Sequence, residues 1–258
     1  MGYVEEFALP IDPLGQSPRT VWAYLPDGYG QDDRVYPVLY MFDGHNLFDD
    51  ALATYGKSWG IRDYLDRTGA QLAVIGQDCN HTGNKRLEEY CPYSVKMPHG
   101  IGKIHAEGRE TADWFVHVLK PACEKRYRIS SEREHVGIGG SSMGGLMSLY
   151  CVTRYNDVFG SAACISPAVS FCGRQLRSLI AGAAFADTRI YISMGSEEAG
   201  RSRKALANMT DRMLAWNSLL LQKGCTSWPR LIVGGSHDEA TWETIVPEFM
   251  PFMFPEAF

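Results

Sequence analysis

The stretch EHVGIGGSSMGGLMSLY, residues 134–150, decides the fold of this 258-residue chain. It begins with a short β-prone run, passes through a cluster of glycines and serines, and ends in apolar residues at helical spacing. The sequence therefore predicts a strand, a tight turn and a helix, with Ser142 in the turn.

Gly140, Ser142 and Gly144 fill the pattern G-x-S-x-G. In a nucleophile elbow the serine occupies a turn so sharp that its neighbours must be nearly free of side chains, and its hydroxyl is exposed above the helix N-terminus. The alternative dinucleotide-binding pattern G-x-G-x-x-G fails, because the sixth position counted from Gly137 is Ser142. No G-x-x-x-x-G-K-[ST] occurs either, so the sequence gives no indication of a phosphate-binding loop.

Apolar runs of strand length alternate with helix-period segments along the rest of the chain. Strands are predicted at 3–10, 19–26, 36–42, 72–76, 135–138, 160–165, 189–194 and 230–233, and helices at 57–67, 111–126 with a kink or break at Pro121, and 204–223, followed by an amphipathic C-terminal segment. This alternation predicts one α/β domain over 1–258: a mostly parallel sheet, helices on both faces and an antiparallel N-terminal edge, the α/β-hydrolase layout. Residues 77–108 show no periodicity, and we expect them to form a pocket wall.

Composition narrows the classes of partner. The net charge is −5 and no Lys/Arg-rich run occurs, which argues against nucleic acid or an anionic membrane as partner. The seven scattered cysteines form no C-x-x-C, and no leader-like or membrane-spanning run is found, so we expect a cytoplasmic protein. Histidine pairs at metal-binding spacing are absent, which predicts no metal, and no cofactor is expected. The oligomeric state is left open.

A serine hydroxyl becomes nucleophilic when an imidazole takes its proton and a carboxylate orients that imidazole. His237 follows the last predicted strand on a glycine-rich loop, and Glu197 and Glu198 follow the strand RIYISM. The order Ser142, Glu198, His237 is the one expected for this layout. Glu197, another residue, or a Ser–His dyad without an acid are the alternatives.

Acyl chemistry also needs two N–H donors for an oxyanion. The backbone N–H of Met143, directly after Ser142, is the first candidate. The loop after strand 36–42 offers the second, where Gly44 lets the chain turn and His45 presents its N–H.

Several segments together resemble the branch of the α/β-hydrolases that contains esterase D (S-formylglutathione hydrolase), enterochelin and salmochelin esterases, feruloyl esterases and the antigen 85 mycolyltransferases. The segments, spread over roughly 20–250, are G-S-S-M-G-G at 140–145, YNDVFG at 155–160, Ser166-Pro167, GSHDEATW at 235–242, and Arg86, Glu89, Tyr90 and Pro92. The resemblance implies Ser142 as nucleophile, His237 as base and Glu198 as acid. Asp43-Gly44 stands where many members have His-Gly, which leaves the second oxyanion donor open.

These residues predict a serine carboxylic ester hydrolase that forms an acyl-enzyme on a small or medium acyl or aryl ester, such as an acetyl, feruloyl or siderophore ester. The substrate-binding candidates are Gly44, Arg86, Tyr90, Phe171 and Trp242. Acyl transfer or thioester hydrolysis from the same acyl-enzyme, and a non-catalytic binding protein that kept the fold, are the alternatives.

Overall fold

An eight-stranded sheet organises the computed structural model, which describes residues 1–12, 14–15, 17–97 and 102–258. The strands are Tyr3–Leu9 (β1), Arg19–Leu25 (β2), Val38–Met41 (β3), Ala73–Gln77 (β4), Val95–Met97 (β5), Gly102–Ile104 (β6), Val136–Ser141 (β7), Ser161–Ile165 (β8), Arg189–Gly195 (β9) and Thr226–Ile232 (β10). The sheet order is β1-β2-β4-β3-β7-β8-β9-β10, and β5 and β6 form a separate hairpin.

The pairing matches the predicted architecture. The strands β3, β4, β7, β8, β9 and β10 are parallel to their neighbours among themselves, whereas β1 pairs with β2, and β2 with β4, in antiparallel register. β3 and β4 are buried along their whole length, as expected for strands covered by helices on both faces. The α/β-hydrolase fold class is therefore confirmed.

The helices are Ile61–Thr68 (α1), Lys85–Glu89 (α2), Gly108–Trp114 (α3), Lys120–Arg126 (α4), Met143–Arg154 (α5), Gly173–Gly182 (α6), Arg203–Gln222 (α7), Glu239–Glu243 (α8) and Val246–Met253 (α9). On one face of the sheet α3 to α7 pack over a large apolar core, and on the other α1, α8 and α9 pack over a smaller one. In the ranges described above, no helix is both long and apolar enough to cross a bilayer.

Several segments of the structure differ from the prediction. α1 begins at Ile61, because Gly60 takes a left-handed conformation and ends the preceding loop. Residues 111–126 do not break at Pro121: a π-helical turn over Phe115–Leu119 joins α3 to α4, and a widened turn of this kind accommodates the missing proline N–H. α6 was not predicted, and the loop 77–108 contains α2 and the β5–β6 hairpin.

Candidate active site

Ser142 lies between β7 and α5 with φ 56° and ψ −117°, a conformation that non-glycine residues rarely adopt. The turn closes because its neighbours are small. A Cβ on Gly140 would lie 2.9 Å from the carbonyl carbon of Gly144, and one on Gly145 would lie 2.7 Å from the carbonyl oxygen of Ile165. The local sequence therefore forms the predicted strand–turn–helix with a half-buried serine at its tip.

Backbone hydrogen bonds fix this turn to the neighbouring strand. The Ser142 N–H donates to the Ile165 carbonyl at 2.9 Å, and the Ser142 carbonyl accepts from Leu146 at 3.0 Å and from Ala168 at 2.9 Å. The strained conformation is thus held from both sides.

His237 and Glu198 meet across the loops that follow β10 and β9. Nδ1 of His237 lies 2.9 Å from Oε2 of Glu198, and the imidazole is exposed while the carboxylate is mostly buried. The alternative acid, Glu197, has an exposed side chain, and its N–H donates to the Gly235 carbonyl at 2.8 Å. Geometry therefore pairs the imidazole with Glu198 and not with its neighbour.

The other oxygen of Glu198 has its own donors. Oε1 accepts from the Ser166 hydroxyl at 2.6 Å and from the Gly195 N–H at 2.7 Å, and the Trp242 indole N–H donates to the same hydroxyl at 3.1 Å. Burial by itself would raise the pKa of Glu198, but these hydrogen bonds and the one to His237 hold that pKa below its usual value. The carboxylate is consequently ionised near neutral pH.

A cleft of about 310 Å³ opens beside Ser142 and His237. It is lined by Asp43, His45, Asn46, Thr54, Tyr55, Cys79, Asn80, His81, Gly83, Arg86, Ser141, Ser142, His237, Glu239 and Trp242. Within the described part of the chain, no hydrogen bond joins the Ser142 hydroxyl to His237. Hydrogen bonds between catalytic groups are often long when no substrate is bound. The observation that bears on catalysis is therefore that Ser142 and His237 line the same cleft.

The two oxyanion candidates lie at the starts of helical turns. Met143 is the first residue of α5, so its N–H has no acceptor within that helix. His45 belongs to the short 3₁₀ turn Gly44–Asn46 and precedes its first hydrogen bond, which runs from the Asn46 N–H to the Asp43 carbonyl. Neither N–H is used by its own helix, which is the condition for binding an anion.

The substrate-binding candidates divide into two groups. Arg86 and Trp242 line the cleft, whereas Tyr90 is fully buried behind Arg86 and Phe171 packs against the edge of the large core. A Cβ on Gly44 would lie 2.5 Å from the Gly76 backbone, so this glycine allows close packing and does not face the cleft.

Sequence reasoning assigned no role to three side chains at the site. Ser166, held at φ 42°, connects Trp242 to the Glu198 carboxylate, and its only sequence signal was the Ser-Pro pair. Asp43 holds Arg86 with two hydrogen bonds of 2.7 Å, and Glu239 is buried at the cleft, where burial and then nearby Asp43 raise its pKa. No spacing pattern marks these contacts, because each joins two loops distant in sequence.

Three side chains of the cleft wall, His45, Cys79 and His81, form with Asp78 a group able to bind a metal. One ligand atom from each lies within 4.8 Å of the others. The expectation of no metal rested on histidine spacing and on the absence of C-x-x-C, and neither pattern detects a group assembled from two loops.

Comparisons with known proteins identify the family and the fold. The model of the family described as "Putative esterase" matches residues 14–251. Esterase MT1326 of Mycobacterium tuberculosis is 30% identical over 139 residues, which are 54% of this chain and 27% of that protein. The uncharacterized protein YbbA of Bacillus subtilis is 23% identical over 81% of this chain and 80% of its own length. Siderophore hydrolase EstA of Aspergillus nidulans superposes with a TM-score of 0.74 at 19% identity, covering 98% of this chain and 93% of its own, a likeness of fold.

Proposed function

The chain belongs to the Putative esterase family and is a carboxylic ester hydrolase, and we propose that it acts as a serine esterase through an acyl-enzyme on Ser142. The observation that carries the proposal is the 2.9 Å contact between His237 Nδ1 and Glu198 Oε2, beside the cleft that also contains Ser142. With Nδ1–H donated to the carboxylate, Nε2 of His237 is the unprotonated nitrogen that can accept a proton.

The proposed reaction has two halves, acylation of Ser142 and hydrolysis of the acyl-enzyme, and His237 transfers a proton in each. Ser142 Oγ attacks the ester carbonyl carbon while His237 Nε2 takes the hydroxyl proton, and the imidazolium then gives that proton to the departing alcohol. Water attacks the acyl-enzyme by the same route and releases the acid and the free serine. Glu198 stays ionised throughout and stabilises the imidazolium.

The oxyanion that forms during acylation and again during deacylation needs hydrogen-bond donors in fixed positions. The N–H groups of Met143 and His45 supply them in this proposal, because both lie at helical starts with no acceptor in their own helix. The helix dipole of α5 adds to the stabilisation at Met143.

The cleft limits the substrate by size and polarity. A volume of about 310 Å³ is at the lower end of the range for small-molecule sites, and the wall carries Arg86, His45 and Asn46. This setting supports a small or medium acyl or aryl ester with polar substituents, the class to which acetyl, feruloyl and siderophore esters belong.

A Ser142→Ala variant tests the mechanism. We expect kcat for p-nitrophenyl acetate to fall by about 10⁴–10⁶-fold, because the attacking atom is removed while the fold, held by backbone hydrogen bonds, is kept. A fluorophosphonate probe should label the wild-type protein and not the variant.

Ser131→Ala, in an exposed loop, is the matched control and should react and label as the wild type does. Hydrolysis by Ser142→Ala at the wild-type rate would refute the proposal. Adding an acceptor alcohol separates the alternatives, since transfer product exceeding free acid would identify an acyltransferase.

A further inference from the structure

Four side chains with metal-binding atoms meet where two parallel strands end. His45 lies in the turn after β3, and Asp78, Cys79 and His81 directly follow β4. β3 and β4 are paired in the sheet with Met41 opposite Gly76, so the loops that follow them start side by side. The sheet register, rather than sequence spacing, assembles the group.

The distances within the group are close to those of a coordination shell. Nδ1 of His45 and Nε2 of His81 lie 2.8 Å and 2.9 Å from Oδ1 of Asp78, and the Cys79 sulfur lies 3.9 Å and 4.0 Å from the two ring nitrogens of His81. Ligand atoms bound tetrahedrally at about 2.0–2.3 Å are about 3.3–3.8 Å apart. All four ligand atoms lie within 4.8 Å of one another, so movements of up to about 1 Å would bring them to the spacing of a tetrahedral shell.

The His45 imidazole gives an independent indication. Its Nδ1 is buried and makes no hydrogen bond of acceptable geometry, although it lies 2.8 Å from the Asp78 carboxylate. Its Nε2 lies 3.0 Å from the Thr54 hydroxyl. In the tautomer that donates Nε2–H to Thr54, Nδ1 is unprotonated and its lone pair faces a carboxylate oxygen. A cation between the two atoms turns that repulsion into attraction, and a ligating histidine usually donates its other N–H in this way.

The donor set selects the kind of metal. One thiolate, two imidazoles and one carboxylate suit Zn²⁺, whereas Mg²⁺ and Ca²⁺ require oxygen ligands. His81 is exposed and Cys79 is buried, so the group has an open side for entry and a sheltered side for the thiolate. We infer that His45, Asp78, Cys79 and His81 form a Zn²⁺ site that ties the loop after β3 to the loop after β4 on the wall of the cleft.

Zinc titration of the full chain, stripped of metal with a chelator, tests the inference. We expect calorimetry to give one Zn²⁺ per chain and the melting temperature to rise with Zn²⁺ concentration, because the metal binds only the folded protein. With Co²⁺ as probe, a thiolate-to-metal charge-transfer band should appear in the near ultraviolet. Cys79→Ser should abolish that band.

His81→Ala is the decisive variant, because an exposed side chain can be removed without disturbing the core. It should weaken Zn²⁺ binding by more than about 100-fold and remove the thermal stabilisation. His117→Ala, at an exposed histidine on the outer face of the π-helical turn, should bind as the wild type does. Absence of binding to the wild type, or equal binding to His81→Ala, would overturn the inference and leave a hydrogen-bonded cluster only.

Discussion

Each carboxylate oxygen of Glu198 has a separate task. Oε2 receives His237, while Oε1 is held by Ser166 and the Gly195 backbone. The second set of contacts fixes the carboxylate even when the imidazole moves, and Trp242 in turn fixes the Ser166 hydroxyl. A carboxylate held in one position also holds the His237 imidazole in one orientation. This matters for the proposed mechanism, because a displacement of about 1 Å in a catalytic group can cost about 10²-fold in rate.

Glu198→Gln should lower kcat/KM by about 10²–10⁴-fold, because the amide stabilises the imidazolium poorly and can select the wrong tautomer. Glu197→Gln is the matched control, one residue away with an exposed side chain, and should retain activity. The measurement is a pH–rate profile for the three proteins. Equal losses in both variants, or a larger loss in Glu197→Gln, would contradict the assignment.

The same substitution has a predicted effect on stability. The folded-state pKa of Glu198 is lowered, so the ionised group contributes stability above its unfolded pKa of about 4.3, and this contribution is lost as pH falls through the folded pKa. The excess unfolding free energy of the wild type over Glu198→Gln should therefore shrink on acidification. Urea titrations at about pH 7 and about pH 3 would measure it, and a constant difference would refute the linkage.

At the scale of single residues, the sequence provides candidates where a motif or strand order prescribes a position. G-x-S-x-G indicates Ser142, and places after successive strands indicate His237 and Glu198, with Glu197 as the alternative acid. The partners of these groups were not predictable. The contact between Ser166 and Glu198 depends on a positive φ, and the pairing of Asp43 with Arg86 spans 43 positions. Neither contact leaves a periodic signal.

Among the helices, α5 depends on glycine for its approach to the sheet. It packs against both β7 and β8, and Gly145 brings its backbone almost into contact with β8. α6 contains a contrasting position, because nothing lies within 4 Å of a Cβ on Gly182 at its last turn. Substitution of Gly145 therefore tests a packing requirement, whereas substitution of Gly182 tests helix propensity alone.

Gly145→Ala should destabilise the protein by about 1–3 kcal/mol, because the methyl group would lie 2.7 Å from a backbone oxygen and force α5 away from β8. Gly182→Ala, the control, should be neutral or stabilising by up to about 1 kcal/mol, since alanine favours the helix and meets no neighbour. Urea unfolding measures both. Similar effects in the two variants would show that α5 does not need the close approach.

The short elements missed by sequence reasoning are stabilised mainly by contacts outside themselves. α2 is only five residues long, too short to be stable by propensity alone, and the β5–β6 hairpin pairs over three positions. The π-helical turn before Pro121 is invisible to a 3.6-residue pattern because its apolar residues, Phe115, Val116 and Leu119, keep helical spacing. Long buried strands and the 20-residue α7 were predictable because each is long enough for its own apolar pattern to indicate it.

Across the whole molecule, a buried ion pair connects the antiparallel edge to the cleft wall. Arg19 on β2 lies 2.6 Å from Oε1 of Glu89 at the end of α2, and Oε2 of Glu89 accepts from the Asn80 N–H at 3.1 Å. Both charged side chains are almost completely buried. The pair therefore joins β2, α2 and the loop after β4, and the resemblance that singled out Glu89 gave no hint of its partner.

Arg19→Met should destabilise the protein by about 3–5 kcal/mol at pH 7, because it leaves the Glu89 carboxylate buried without a counter-charge. Burial already raises the pKa of Glu89 above its usual value despite Arg19, and removal of the guanidinium raises it further. A carboxyl group with a raised folded pKa destabilises the folded protein increasingly as pH rises from its unfolded pKa, so the cost of Arg19→Met should be small near about pH 4 and grow toward pH 7.

Arg34→Met, which removes an exposed arginine paired with Asp32, is the control and should cost less than about 1 kcal/mol at both pH values. Urea unfolding of both variants at the two pH values measures these costs, and a cost of Arg19→Met that stayed constant with pH would show that Glu89 does not carry a buried charge.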